Sequence, residues 1–112
     1  MAAKLKLTKD DQTLEMPLQE VSYTFGTAPG NSVPVPARFK LEDRHFAIEA
    51  VPGQGHHLVP VSRKGITEVN GVPVKTPRLL EHGDIIKVGG MVLEYHNPRP
   101  KERGTFRLGP AG

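Results

Sequence analysis

The sequence predicts an all-β domain built as an antiparallel β-sandwich, and three observations support this. Apolar and polar residues alternate in several short segments, which is the period of strands with one buried face. Turn residues are frequent, because the chain of 112 residues holds 12 glycines and 11 prolines. No segment carries apolar residues at helical spacing over a useful length. The one candidate, around Leu79-Leu80, lies between Pro77 and Gly83 and is too short for a stable helix.

The alternation predicts nine strands and the residues that face the core. It is clearest in the segments 13–18, 20–25, 46–50 and 91–95. The residues predicted to point inward there are Leu14, Met16, Leu18, Val21, Tyr23, Phe25, Phe46, Ile48, Ala50, Met91, Leu93 and Tyr95. Shorter strands are predicted at 3–7, 57–61, 67–69, 72–74 and 85–88.

Turn chemistry separates these strands. Asn70-Gly71 is the strongest hairpin signal, because a type I′ turn needs positive φ at both central positions. The stretch 26–45 is the longest without a strand pattern, and long loops in compact domains are often functional. The remaining turn signals are Asp10-Asp11, Pro52 to Gly55, His82 to Asp84 and Gly89-Gly90.

The charge distribution argues against a protein that reads a nucleic-acid backbone. The formal net charge is +3, but the excess of positive charge lies in residues 97–112. This segment has four basic residues, Arg99, Lys101, Arg103 and Arg107, and one acidic residue, Glu102. The rest of the chain is neutral, whereas a phosphate-backbone reader needs many uncompensated cations. We therefore expect one β-sandwich domain over residues 1–96, followed by a disordered basic tail rich in proline and glycine at 97–112.

Composition and motifs also argue against metal, membrane and catalytic functions. The chain has no cysteine, which excludes disulfides and thiolate metal sites and fits a cytoplasmic location. No apolar run is long enough to span a bilayer, and no signal peptide is visible. His56 and His57 are adjacent on a predicted strand, so they point to opposite faces and cannot chelate easily. No nucleophile elbow surrounds Ser62, so we expect no enzyme activity. We also expect no bound metal and no cofactor.

Four motifs and a closing strand follow one another along the chain. The motifs are Phe25-Gly26-Thr27, Arg44 to Ile48, Thr67 to Gly71 and Leu80 to Gly89, and Met91 to Tyr95 is the closing strand. In order and spacing they resemble the forkhead-associated (FHA) domain family. The resemblance covers about residues 3–96, and its second half, Val69 to Gly89, is the closest match. It implies an eleven-stranded β-sandwich that typically binds phosphothreonine peptides through loops at one end. The residues with implied structural roles are Gly26, His45, Asn70, Gly71, Gly83 and Asp84.

The phosphate-binding positions depart from the family's pattern. Thr27 stands where the family has its phosphate-binding arginine. Glu42 aligns with the phosphate-binding serine, and Asp43 aligns with the arginine that follows it. Two carboxylates in this place would repel a phosphate, since close like charges cost several kcal/mol.

The peptide-binding asparagine of the family is also missing. Its position falls at Gly65, or at Lys64 if the loop is one residue longer, and only Thr67 keeps the family's residue type. The chain therefore resembles an FHA domain that is degenerate at the positions that bind phosphothreonine.

These observations predict a protein–protein interaction module whose loops 26–32, 38–45 and 62–67 contact a partner protein or peptide. Dependence on phosphothreonine is expected to be weakened or absent. One alternative is a phosphothreonine reader in which Arg63 or Lys64 replaces the family arginine. Another is a small β-barrel that binds nucleic acid, although most of its six aromatic residues belong to the core pattern. Membership of a larger protein stays open. The predicted partner-binding residues are Thr27, Arg44, Ser62, Arg63, Lys64 and Thr67.

Overall fold

A computed structural model describes residues 3–9 and 12–98 of the chain, and within them it contains eleven β-strands and one 3₁₀ turn. The predicted basic tail and the Asp10-Asp11 turn lie outside the described residues, apart from residues 97–98. The strands are β1 (Lys4–Lys9), β2 (Gln12–Pro17), β3 (Ser22–Gly26), β4 (Val33–Pro34), β5 (Phe46–Val51), β6 (Gly55–Pro60), β7 (Thr67–Val69), β8 (Val72–Pro73), β9 (Arg78–Leu79), β10 (Ile85–Val88) and β11 (Met91–His96), and the 3₁₀ turn is Ala37–Phe39.

Two sheets form the predicted sandwich. One sheet has six strands in the order β2-β1-β11-β10-β7-β8, and the other has five in the order β4-β3-β5-β6-β9. All pairs are antiparallel except β3 with β4, which pair in parallel. In this part of the chain no helix is long and apolar enough to cross a membrane.

The core lies between the sheets and contains most of the residues that the alternation predicts. Phe46 and Ile48 of β5 are fully buried, and the rings of Phe25 and Phe46 stack with centroids 4.5 Å apart. Tyr95 is also buried, and its hydroxyl meets Nδ1 of His56 at 2.8 Å. Burial of these rings supplies much of the stability of a domain this small, since each aromatic side chain buries a large area.

Two residues predicted for the core are instead exposed. Leu14 is 64% exposed and Val21 is 75% exposed. Leu14 lies on β2, the outermost strand of its sheet, where it lines an open cleft rather than a closed core. Val21 precedes the first residue of β3 and belongs to a bend. Alternation predicts the face of a strand, but it does not predict how far the facing sheet extends over it.

The stretch 26–45 is a packed connection and not an open loop. It contains β4 and the 3₁₀ turn, neither of which the sequence pattern predicted. Val35, Phe39 and Leu41 are buried and anchor the connection to the core. Strand β9 was missed for the same reason as β4, because two residues are too few to show a period.

The hairpin between β7 and β8 has the predicted type I′ geometry, and a polar network extends from it. Asn70 and Gly71 have φ of 53° and 83°. Nδ2 of Asn70 donates to Oδ1 of the buried Asp84 at 2.9 Å, and Oδ1 of Asn70 accepts from the Ile85 N–H at 2.9 Å. Oδ2 of Asp84 accepts from the Glu81 N–H at 2.8 Å. The network joins the hairpin to the turn before β10.

We expect Asp84→Ala to destabilise the domain, because it leaves the Asn70 amide and the Glu81 N–H without their acceptor. The expected cost is about 1–3 kcal/mol. In a domain of this size each kcal/mol lowers the Tm by about 4–8 °C. Thermal unfolding followed by circular dichroism measures the change, with the exposed Glu81→Ala as the control. Equal melting temperatures for the two variants would contradict this role for Asp84.

Edge strand β2 is tied to β1 by an exposed ion pair. Nζ of Lys4 lies 3.1 Å from Oε1 of Glu15, and Nζ of Lys6 lies 3.8 Å from Oε2. The pKa of the Glu15 carboxyl is below its usual range, mainly because Lys4 donates a hydrogen bond to it, and Coulombic attraction to Lys4 and Lys6 adds to this.

This lowered pKa predicts a small acid-dependent loss of stability. A carboxyl with a lower pKa in the folded state stabilises the fold above its unfolded pKa, and the effect disappears as the pH falls below about 4.3. Glu15→Gln should therefore lose less stability than the wild type between pH 7 and pH 3. Urea unfolding at both pH values measures the difference, and an equal loss in the two proteins would be the contrary result.

Candidate functional site

The three loops that the sequence singled out, 26–32, 38–45 and 62–67, meet at one end of the sandwich. The N–H groups of Thr27 and Ala28 donate to the carbonyls of Glu42 and Asp43 at 3.1 and 3.2 Å. These backbone bonds join the first loop to the second. We call the surface around these three loops the apical end.

His45 joins the second loop to the third. Its ring is buried, and Nδ1 accepts from the Glu42 N–H at 3.1 Å. Nε2 lies 3.2 Å from the carbonyl oxygen of Ile66, and it must be the donor because a carbonyl only accepts. The carbonyl of His45 also accepts from the N–H groups of Val61 and Ser62, both at 3.1 Å. The imidazole therefore positions both loops.

Two glycines allow the loops to approach this closely. A Cβ on Gly26 would collide with the Asp43 carbonyl and the Arg44 Cα. A Cβ on Gly65 would overlap the imidazole ring of His45. Position 26 therefore has no room for a side chain. Gly65 shows why a larger residue cannot occupy this position while His45 keeps its place.

Asn31 is a framework residue that sequence reasoning missed. Its buried side chain donates from Nδ2 to the Ala28 carbonyl at 2.8 Å and to the Asp43 carbonyl at 2.7 Å. The one sequence signal for this residue is its place after Pro29-Gly30, because this combination is typical of turns. Nearby, Oγ1 of Thr27 donates to Oδ1 of Asp43 at 3.1 Å. The hydroxyl of Thr27 and the backbone of Asp43 are therefore already engaged within the protein.

A hollow of about 460 Å³ opens between the second and third loops. Glu42 and Asp43 bring carboxylates to its lining, and Arg44, Arg63 and Lys64 bring cations. None of these five forms an ion pair with another residue in the described ranges. The hollow, which we call the apical hollow, thus presents charges of both signs to a ligand. Its lining residues are Leu41, Glu42, Asp43, Arg44, Ser62, Arg63 and Lys64.

Ser62 shapes the cationic side of the apical hollow. Its Oγ accepts from the N–H groups of Lys64 at 3.1 Å and Gly65 at 3.0 Å. Because a hydroxyl also carries a proton, Ser62 keeps one donor for a ligand. Arg44 lies exposed in the lining, as do Arg63 and Lys64.

Of the predicted partner-binding residues, Thr67 alone is buried, at 2% exposure. It begins β7 and lines a neighbouring groove instead of the apical hollow. The structure brings the other five together: four line the apical hollow, and Thr27 contacts it through Asp43.

The two adjacent histidines point to opposite sides, as strand alternation predicts. His56 is buried against Tyr95, while Nε2 of His57 lies 3.0 Å from Oε1 of Glu49 on the outer face. Among the residues that the structure describes, no three histidine, aspartate or glutamate side chains are grouped to hold a metal.

The family profile of the FHA domain matches residues 23–89, so the chain belongs to the FHA domain family. The matched region runs from β3 to the end of β10 and includes all three apical loops. FHA domains are typically non-catalytic binding modules. No curated protein matches the sequence.

Three solved structures that share this fold match it over nearly their whole length. A structure from a structural and functional analysis of phosphothreonine-dependent FHA domain interactions is 26% identical, with a TM-score of 0.73, covering 88% of this chain and 99% of the other. The FhaA FHA domain complexed with the intracellular domain of Rv3910 is 25% identical, with a TM-score of 0.68, covering 84% and 99%. The FHA domain of the CT664 protein from Chlamydia trachomatis is 14% identical, with a TM-score of 0.78, covering 88% and 100%.

We expect Gly65→Ala to destabilise the domain, because the added methyl group must displace the His45 ring. Overpacking of this kind costs about 1–3 kcal/mol. Gly30→Ala is the matched control, since a Cβ there meets nothing within 4 Å and its φ is ordinary. It should change the stability by less than about 0.5 kcal/mol. Urea unfolding compares the two variants, and equal stability would show that the ring accommodates a side chain at position 65.

Proposed function

We propose that this FHA domain binds a partner protein through its apical hollow, with weakened or absent dependence on phosphothreonine. The observation that carries the proposal is the pair of carboxylates, Glu42 and Asp43, in the lining of the hollow. They occupy the positions of the family's phosphate-binding serine and the arginine after it. A phosphothreonine brings nearly two negative charges at neutral pH, and these carboxylates would repel them.

The residue at the position of the family arginine supports the same proposal. Thr27 offers no cation, and its hydroxyl already donates to Asp43. At the position of the peptide-binding asparagine, Gly65 packs against His45 and offers no side chain. The peptide-binding function is therefore retained in our proposal, while its contacts come from other residues of the apical loops.

A second candidate function is phosphothreonine recognition by substitute residues. Arg63 and Lys64 favour it, because both are exposed, both line the apical hollow and neither has an ion-pair partner in the described part of the chain. The Ser62 hydroxyl could add a hydrogen bond to a phosphate oxygen. This candidate requires the three cations of the lining, Arg63 and Lys64 together with Arg44, to outweigh the carboxylates of Glu42 and Asp43.

Nucleic-acid binding has less support. A single-strand binder needs aromatic rings on which exposed bases can stack. Of the aromatic residues within 3–9 and 12–98, Phe25, Phe39, Phe46 and Tyr95 are buried and Tyr23 is half-buried. The cytoplasmic location and membership of a larger protein stay predictions.

Isothermal titration calorimetry separates the two candidates. A phosphothreonine peptide library and its unphosphorylated copy are titrated into the domain. We expect similar affinity for both, or weaker binding of the phosphorylated copy, because Glu42 and Asp43 repel the phosphate. Glu42→Gln with Asp43→Asn should then improve binding of the phosphorylated library about tenfold, as removal of like charges would.

Strong preference for the phosphorylated library would overturn the proposal. In that case Arg63→Ala should abolish the preference and so establish the substitute reader. Lys87→Ala serves as the control, because Lys87 is exposed on β10 and does not line the apical hollow.

A further inference from the structure

A second concavity opens beside the apical hollow, where residues of both sheets meet at the side of the sandwich. It measures about 460 Å³ and is formed by the end of β6, the third apical loop and the segment that starts at β8. It shares Ser62 and Arg63 with the apical hollow. We call it the lateral groove. Its lining residues are Pro60, Val61, Ser62, Arg63, Gly65, Ile66, Thr67, Pro73, Val74 and Lys75.

Five of the ten residues that line the lateral groove are apolar, and two of these five are large side chains exposed to solvent. Ile66 is 65% exposed and Val61 is 46% exposed. Pro60, Pro73 and Val74 complete the apolar wall. Clustered exposed apolar side chains around a concavity mark interaction sites, since single exposed residues are normally scattered. Burial by a partner would stabilise a complex in proportion to the apolar area removed from water.

The charges around the lateral groove are of one sign. Arg63 and Lys75 line it, and no carboxylate does. Neither cation forms an ion pair with any residue in the described ranges. The groove therefore differs from the apical hollow, where both signs are present. An occupant that carries acidic residues would complement it, and a basic occupant would be repelled.

The edge of the sheet limits how an occupant can bind. Strand β8 is the outermost strand of the six-stranded sheet, but it has only two residues and the second is Pro73. Proline has no N–H to donate, so addition of a partner strand along β8 would gain few backbone hydrogen bonds. Insertion of a side chain between the apolar walls is the mode that the groove favours.

We propose that the lateral groove binds an extended segment of a partner protein in which an apolar residue is flanked by aspartate or glutamate. The apolar side chain packs between Val61 and Ile66, and the flanking carboxylates pair with Arg63 and Lys75. The proposal rests on the proposed function, because Ser62 and Arg63 form part of both concavities and one peptide chain could contact both.

A peptide selection tests the inference. A library of random unphosphorylated dodecapeptides is selected on the immobilised domain. The dissociation constants of the selected peptides are then measured by fluorescence polarisation. We expect enrichment of peptides with Leu, Ile or Phe between acidic residues. Binding should weaken about tenfold in Ile66→Ser, as for a contact worth about 1.4 kcal/mol, and by a similar factor in Lys75→Glu.

Two control variants match these changes. Val21→Ser removes an exposed apolar side chain in the bend just before β3, outside the groove. Lys87→Glu makes the same change in net charge as Lys75→Glu, but Lys87 lies on β10 and outside the groove. Neither control should change the affinity by more than about twofold.

Chemical-shift mapping of the ¹⁵N-labelled domain with the selected peptides distinguishes the possible failures. Shifts at residues 60–67 and 73–75 support the inference. Shifts confined to residues 41–44 and 62–64 overturn the inference and leave the proposed function standing. Selected peptides that lack acidic residues have the same consequence. If neither this library nor the phosphorylated one yields a binder, the proposed function fails as well.

Discussion

The apical end of this domain depends on the hydrogen bonds of one buried imidazole. His45 accepts from the Glu42 N–H on one side and donates to the Ile66 carbonyl on the other. It thereby joins two loops that are about twenty residues apart in sequence. Gly65 packs directly against the ring, and the absence of a side chain at Gly26 allows the second loop to approach the first. Any ligand at this end meets a surface whose shape these contacts already determine.

The framework residues of this domain are different from the charged residues that line its apical hollow. The framework residues Gly26, His45 and Asn70 engage in contacts within the protein and carry no exposed charge. In the proposed function, Glu42 and Asp43 set the charge of the surface while the contacts of His45 hold the loops in place.

The third apical loop separates two different environments. On one side, the apical hollow offers carboxylates and cations together. On the other, the lateral groove offers apolar walls and cations alone. Ser62 and Arg63 belong to both, so a single peptide crossing this loop would meet a change from mixed charge to an apolar, cationic surface. Such a gradient favours specificity, because a partner must satisfy both environments in the correct order.

The sequence by itself determined the features that depend on neighbouring residues. Alternation predicted most strands, and Asn70-Gly71 predicted a type I′ hairpin, because these signals are local. The order of the motifs also singled out His45 and the three loops, whose role in binding stays a prediction. Only the tertiary structure decided the exposure of Leu14 and Val21, the two-residue strands β4 and β9, the role of Asn31 and the packing of Gly65 on His45. Each of these depends on contact between segments distant in the chain, and no local pattern in the sequence encodes such contact.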